Sequence, residues 1–253
     1  MRLTFLGTGT SQGVPMIACD CEVCRSTDSR DKRLRTSALV EVDGVNMMID
    51  AGPDFRYQLL RENIKRVDAI LLTHEHKDHT GGLDDVRAFN YFLQRPMDIY
   101  AEERVLDNLR WEYPYAFSKH KYPGAPEMEL HPITGKPFKV SEVGVTPIRA
   151  MHYKLPIYGF KVGGLVYVTD ANHIAEESKE LMKGCEILVI NALRYEEHLS
   201  HFTVPEALEL VKELQPRMAY FTHMSHQVGL HNDVQKTLPE NVFLAYDGLK
   251  VEN

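Results

Sequence analysis

Residues 74–79 read His-Glu-His-Lys-Asp-His, and that crowding constrains the fold more than any other stretch of the chain. His74, His76, Asp78 and His79 are all metal-competent and follow closely on the apolar run Ala69-Ile70-Leu71-Leu72. Alternate residues of an extended segment point the same way. His74 and His76 can therefore grip one cation, while Asp78 and His79, past the turn, face a second. Imidazole and carboxylate hold zinc, iron or manganese and leave positions open for water.

Further donors lie downstream. His152 follows the segment Val145–Ala150, Asp170 closes the apolar run Leu165–Val168, and His223 closes Met218–Phe221. Singly, each reads as a structural polar residue. Together with 74–79 they complete a two-metal set: His74, His76 and His152 for one ion, Asp78, His79 and His223 for the other, Asp170 as a bridge. A weak internal echo supports this. MMIDAG (47–52) parallels VYVTDAN (166–172), and ILLTHEH (70–76) parallels AYFTHMSH (219–226). Each half thus offers one strand ending in Asp and one ending in His, at the strand ends where α/β proteins place ligands. Asp50, in the first echo, reads as a carboxylate that orients a metal histidine.

The remaining pattern is that of one α/β domain over residues 1–253. Short apolar runs predict strands at Leu3–Leu6, Ala38–Val42, Met47–Ile49, Ala69–Leu72, Leu165–Val168, Ile187–Ile190, Met218–Phe221 and Val242–Ala245. Helical spacing covers 54–63, 82–93, 102–109, 175–183 and 204–214, the last with Thr203 as N-cap and Pro205 early. Residues 111–137, with Trp111, Tyr113, Tyr115, Phe117, Tyr122 and five prolines, predict an irregular excursion that walls a substrate pocket, makes a homodimer contact or simply packs on the surface. Net charge is −7, which leaves no basic footprint for extended nucleic acid. The start lacks a signal-peptide pattern, and no apolar run reaches the ~18 residues of a membrane span. The expectation is a cytoplasmic protein with no membrane partner and a small-molecule substrate.

Cys19, Cys21 and Cys24 lie together, and in a reducing compartment such a cluster favours metal over disulfide. Three thiolates need a fourth ligand to close a tetrahedral structural zinc. His226, three residues past His223, can turn towards the cysteines; His231 is the alternative. Cys185 reads as an ordinary buried thiol. Gly7, Gly9 and Gly13 make a flexible loop, by itself a weak sign of phosphate binding. Arg56, Lys77, Arg87 and Arg194 are candidates to meet phosphate oxygens, each also explicable as a surface ion pair.

THEHKDHTGG (73–82), His152, VTDAN (168–172) and FTHMSH (221–226), in that order, resemble the metallo-β-lactamase superfamily. FLGTGTSQGVP (5–15), CDCEVC (19–24), IDAGPDFR (49–56), GLDDVRAFN (82–90) and HFTVPEAL (201–208) narrow the resemblance. They are most similar to the cyclic-phosphate phosphodiesterases of the carbon–phosphorus lyase pathway of phosphonate breakdown, relatives of the tRNA 3′-processing endonucleases. The resemblance implies an αββα sandwich with two catalytic divalent metals, manganese, zinc or iron, at one edge of the sheets. It also implies a structural zinc on three cysteines and a histidine, where His226 matches. His79 stands where the true lactamases depart from this pattern, which weakens an antibiotic-hydrolysing role.

The expected chemistry is attack on phosphorus by water activated between two metals. Asp78 or Asp170 would orient it, and His201, which resembles the extra histidine of the phosphodiesterase branch, would protonate the leaving oxygen or stabilise phosphate. His198 is the less favoured choice. The competing functions are an RNA-processing nuclease, a thioester or lactone hydrolase on the same core, and a non-catalytic metal-binding protein. The intact ligand set argues against the last.

Overall fold

The computed structural model describes residues 1–252. Its strands form two seven-stranded sheets. The first runs, in spatial order, Lys250–Glu252, Arg2–Gly7, Ser37–Val42, Val45–Ile49, Ala69–Leu71, Met97–Glu102 and Met128–Ile133. The second runs Val242–Leu244, Met218–Thr222, Ile187–Asn191, Leu165–Val168, Leu155–Val162, Val143–His152 and Phe138–Val140. In each sheet a run of parallel pairings adjoins antiparallel ones.

Side-chain alternation explains the layering. Phe5, Val40, Met47, Ile49 and Leu71 of the first sheet meet Phe160, Leu165, Tyr167, Ile187 and Val189 of the second in one buried cluster. Their neighbours Leu6, Leu39, Met48 and Ile70 face the other way, against Phe55, Phe89 and Leu106 of the helical layer. Val166, Val168, Leu188 and Ile190 likewise turn outward onto Met182, Ala207 and Leu210. Strands covered on both faces read as continuous apolar runs, which is why these segments stand out in the sequence. The order of layers is helix, sheet, sheet, helix, as the αββα expectation required.

The helical patterns settle as Phe55–Arg61, a short 3-10 turn Leu83–Val86 leading into Arg87–Leu93, Glu103–Glu112, Glu176–Met182 and Val204–Leu214. Thr203 caps the last in a reciprocal capping box with Glu206. Residues 111–137 are more regular than an irregular excursion. They hold the end of Glu103–Glu112, the one-turn helix Pro114–Phe117 and the strand Met128–Ile133. Pro114 begins its helix, where no N–H is needed, and Pro132 lies in an outermost strand, where a missing N–H is tolerated. Tyr113 is buried while Trp111 and Tyr122 are 78% and 79% exposed, so only part of this segment packs. No helix of the described residues is long and apolar enough to cross a membrane.

The intersheet core yields a stability test. Phe160 is fully buried between the sheets, so Phe160→Ala is expected to remove about 3–5 kcal/mol, read as a lower denaturation midpoint at unchanged slope. Tyr122→Ala, on the surface, should move it by less than about 0.5 kcal/mol. Equal effects would mean that the two sheets do not share a core.

Candidate metal centre

Strand ends build the site. Val45–Ile49 delivers Asp50, Leu165–Val168 delivers Asp170, and Met218–Thr222 delivers His223, while His152 ends Val143–His152. Asp50, Asp170 and His223 have φ of 61°, 61° and 54°. Such left-handed conformations are uncommon outside glycine and gather at functional sites. Here they turn the chain sharply at the point where its side chain enters the centre. The histidine-rich segment is drawn in by close backbone contact: Ala51 N donates to His79 O at 2.8 Å, and Gly82 N to Ala51 O at 2.9 Å. A Cβ on Gly52 would lie 2.0 Å from Asp78 O, so a side chain there would push the segment away. On its outer side, Tyr113 Oη donates to Thr80 O at 2.9 Å and Lys77 pairs with Glu112 at 2.6 Å.

Three groups of donors converge. Ligand atoms of His74, His76 and His152 lie within 4.8 Å of one another, and so do those of Asp78, His79, Asp170 and His223. A third group, His152, Asp170 and His201, overlaps both and places Asp170 at their junction. All seven residues read from the sequence as the two-metal set are therefore in one place, and His201 joins them more closely than its distance along the chain suggested. Its ring lies 4.7 Å from that of His152 and 4.9 Å from that of His223, while Nδ1 is 3.9 Å from Asp170 Oδ1. His198 is one step further out, 5.1 Å from the His201 ring.

Hydrogen bonds fix which ring nitrogen is free. Asp50 Oδ2 accepts from His79 Nδ1 at 2.7 Å, which leaves Nε2 facing Asp78 and Asp170 at 3.2 and 3.3 Å. The hydroxyl of Thr73 donates to the same carboxylate at 2.9 Å and so accepts from His74 Nδ1 at 2.9 Å. His74 Nε2 then points at His76 Nδ1, 3.0 Å away. His152 Nδ1 donates to Ser200 O at 2.9 Å, which frees its Nε2. Thr73 and Ser200 carry no metal-like chemistry, so sequence reasoning passed over both. Position next to His74 and His201 was the one available signal.

The donor set fits cations. His79 Nε2 and His223 Nδ1 are buried with no aligned hydrogen bond, yet each faces carboxylate oxygens, at 3.2 and 3.3 Å for His79 and 3.1 Å for His223, an arrangement that an ion held between them would satisfy. Burial alone would push His79 down, but Asp170, Asp78 and Asp50 outweigh it and hold its pKa well above the usual value. The carboxylates thus keep a positive charge at His79 Nε2, the place an ion would take. Burial opposes ionisation of Asp170 and Asp78, yet His223 and His79 pull Asp170 well below the carboxylate range, and His79 does the same for Asp78. Burial and His79 keep His74 neutral. Burial, then His223, lowers His201 to about 2.

The cysteines form a separate cluster. Ligand atoms of Cys19, Cys21, Cys24 and His226 lie within 4.8 Å of one another. His226 Nδ1 is 3.5 Å from Cys19 Sγ and 3.2 Å from Cys21 Sγ. The hydrogen bond to His226 lowers Cys21 to about 6, and burial raises Cys24 to about 11. His231 points elsewhere, with Nδ1 3.3 Å from the buried Arg33 guanidinium. Among the basic candidates, Lys77 is held by Glu112, Arg87 by Asp84, and Arg194 by Gln227 and two backbone carbonyls. Cys185 is buried as a plain thiol.

Comparison with known proteins follows the same lines. A family model described as a beta-lactamase superfamily domain matches residues 45–224. An octanoyltransferase of Porphyromonas gingivalis is 44% identical over 99% of this chain and 51% of its own length, so the chain spans about half of that relative. A crystal structure described as a new diphosphatase from the PhnP family superposes with a TM-score of 0.93 at 38% identity, over 100% of this chain and 97% of that one. The short form of human tRNase Z superposes with a TM-score of 0.71 at 20% identity, over 100% and 99% of the two chains, a likeness of fold alone.

Two outcomes are expected. Protein purified without chelator should carry metal in the histidine–aspartate clusters and zinc in the cysteine cluster. Absence of zinc on elemental analysis, with Cys19, Cys21 and Cys24 open to thiol reagents, would rule the cysteine site out. Asp50→Asn keeps the shape but loses an acceptor for His79, and should weaken metal retention about 10–100-fold in chelator competition. Unchanged retention would mean that packing alone orients His79.

Proposed function

The chain belongs to the metallo-β-lactamase superfamily, and from that premise we propose that it is a metal-dependent phosphodiesterase acting on a small phosphodiester, a cyclic sugar phosphate being the specific reading. The observation that carries this is the pair of adjoining donor clusters joined at Asp170, with His201 buried against both. Hard, oxygen-rich phosphate suits histidine–carboxylate metal sites.

His74, His76 and His152 would hold one ion, and Asp78, His79 and His223 the other, with Asp170 between. Bound there, divalent metals supply positive charge to phosphoryl oxygens and lower the pKa of water. The chain's own residues do the rest. Asp78 is only partly buried, and its carboxylate can accept a hydrogen bond from the attacking water and aim it. Asp50 holds His79 and, through Thr73, His74, so that neither ring rotates as charge builds on the substrate. Neutral His201 has one ring N–H to offer a phosphoryl oxygen. An anionic substrate raises its affinity for a second proton against the effect of burial, and that proton can pass to the leaving oxygen.

A second reading, hydrolysis of a diphosphate, is favoured by the 38% identical structure described as a diphosphatase. The same attack on phosphorus would then expel a phosphate, which needs little protonation. The acidic net charge of −7 disfavours long RNA as substrate.

The test is a panel of bis-p-nitrophenyl phosphate, a ribose cyclic phosphate, an alkyl diphosphate and an octanoyl thioester, the last chosen because of the octanoyltransferase relative. Turnover confined to the thioester would reject the phosphodiesterase reading. Within the panel, His201→Ala at matched metal content should lose roughly 10²–10⁴-fold in kcat on alkyl phosphodiesters and far less on p-nitrophenyl esters. An equal loss on both would assign His201 to phosphate binding, and no loss would remove it from the chemistry.

A further inference from the structure

The segment that carries His201 has little regular structure of its own. Between the strand Ile187–Asn191 and the helix Val204–Leu214 the chain makes no helix or strand. Its far end is fixed by Phe202 N, which donates to Ala171 O at 2.7 Å, and the stretch before His201 is held by its carbonyls. Arg194 Nε donates to Glu196 O at 3.2 Å and Arg194 Nη2 to Glu197 O at 2.8 Å. Asn172 Nδ2 donates to Leu199 O at 3.2 Å and His152 Nδ1 to Ser200 O at 2.9 Å. The third arm of Arg194 leaves the segment: Nη1 donates to Gln227 Oε1 at 3.1 Å.

Gln227 belongs to the short 3-10 helix His226–Val228, whose first residue faces the cysteines. That helix is tied to the same loop from below. Ser225 N and Oγ both donate to Leu193 O, at 3.0 and 2.9 Å, and Ser225 Oγ accepts from Gln227 N at 3.1 Å. A planar guanidinium presents several donors in fixed directions. It can therefore hold two carbonyls and a side-chain amide as one rigid unit, which a lysine cannot.

We propose that Arg194 is a positioning residue for His201, and that through Gln227 it makes the placement of His201 depend on the order of the cysteine–histidine cluster. The inference rests on the phosphodiesterase reading for His201, but the mechanical part of it does not. With the cysteine cluster filled, the helix His226–Val228 is fixed, and Arg194 clamps the carbonyls of Glu196 and Glu197 against it. With the cluster emptied, Gln227 loses its fixed place, the clamp loses one of its ends, and the loop ahead of His201 opens more often.

The experiment uses the full chain with its metals and compares Arg194→Ala, Arg194→Lys, Gln227→Ala, His201→Ala and the double variant Arg194→Ala/His201→Ala. Amide hydrogen exchange over residues 195–202 is read alongside kcat, KM and metal content on alkyl and p-nitrophenyl phosphodiesters. Arg194→Ala should speed exchange in that segment by about 10-fold or more. It should lower kcat on the alkyl ester by about 10-fold to 10²-fold with KM and metal content unchanged, and scarcely affect the p-nitrophenyl ester. The double variant should be no slower than His201→Ala.

Arg194→Lys should behave as Arg194→Ala. Emptying the cysteine site with Cys21→Ser, at unchanged metal content in the histidine–aspartate clusters, should speed exchange over 195–202 and add nothing in Gln227→Ala. Unchanged exchange in Arg194→Ala, full recovery in Arg194→Lys, or an additive double variant would each overturn the proposal. If His201→Ala itself slows both esters alike, the acid role of His201 fails, and exchange alone still decides for or against Arg194.

Discussion

One fully buried carboxylate, Asp50, orients two histidines of the centre at once. It accepts from His79 directly and from the Thr73 hydroxyl, which in turn accepts from His74. Burial raises the pKa of Asp50, and the charge on His79 offsets part of that rise. A buried carboxylate without such partners would cost several kcal/mol. The hydrogen bonds that stabilise it are therefore the same ones that aim Nε2 of both rings into the centre. Fold stability and ligand geometry share one interaction, and a change at Asp50 cannot affect one without the other.

The arrangement around Asp50 is electrostatically unbalanced without a cation. Asp50, Asp78 and Asp170 all bear on His79, and they keep it protonated against its own burial. His74 and His223, by contrast, are driven towards the neutral form, burial being the first cause in each. Neutral imidazoles with free lone pairs beside ionised carboxylates are the state that metal binding requires, and binding would release the His79 proton. The site is poised for cations by where its carboxylates lie, before any ion arrives.

The sequence displayed this centre because its candidate ligands sit at the ends of apolar runs. His74, Asp170 and His223 each follow strands buried on both faces, and such strands stand out without alternation. The parallel between Asp50 and Asp170 was legible too, and the structure gives both the same left-handed turn with φ of 61°. Strands with one partly exposed face were harder to see. Met97–Glu102 alternates buried and half-buried residues, and Met128–Ile133 contains Pro132, so neither produced a clean run. Apart from Asp50, what positions the site from outside left little mark on the sequence. Thr73, Asn172, Ser200 and Gln227 act through backbone groups or single hydrogen bonds. Only the three-dimensional path reveals which group each of them meets.

The two clusters share a segment for a reason that lies in core size. The cysteine region packs on a satellite core of Val14, Val23 and Cys24 with a few half-buried neighbours, too little apolar surface to hold a long irregular loop unaided. A metal crosslink at the cysteine cluster would supply what burial cannot. Its fourth donor must come from the main body, and His226 is three residues beyond His223, at the end of a strand fixed by the deep core. His223 turns into one cluster at φ 54°, and the following 3-10 turn swings His226 towards the other. The loop is thereby anchored to the best-supported edge of the molecule. Ser225 and Gln227, on either side of His226, are bonded in turn to Leu193 O and Arg194 of the loop that leads to His201.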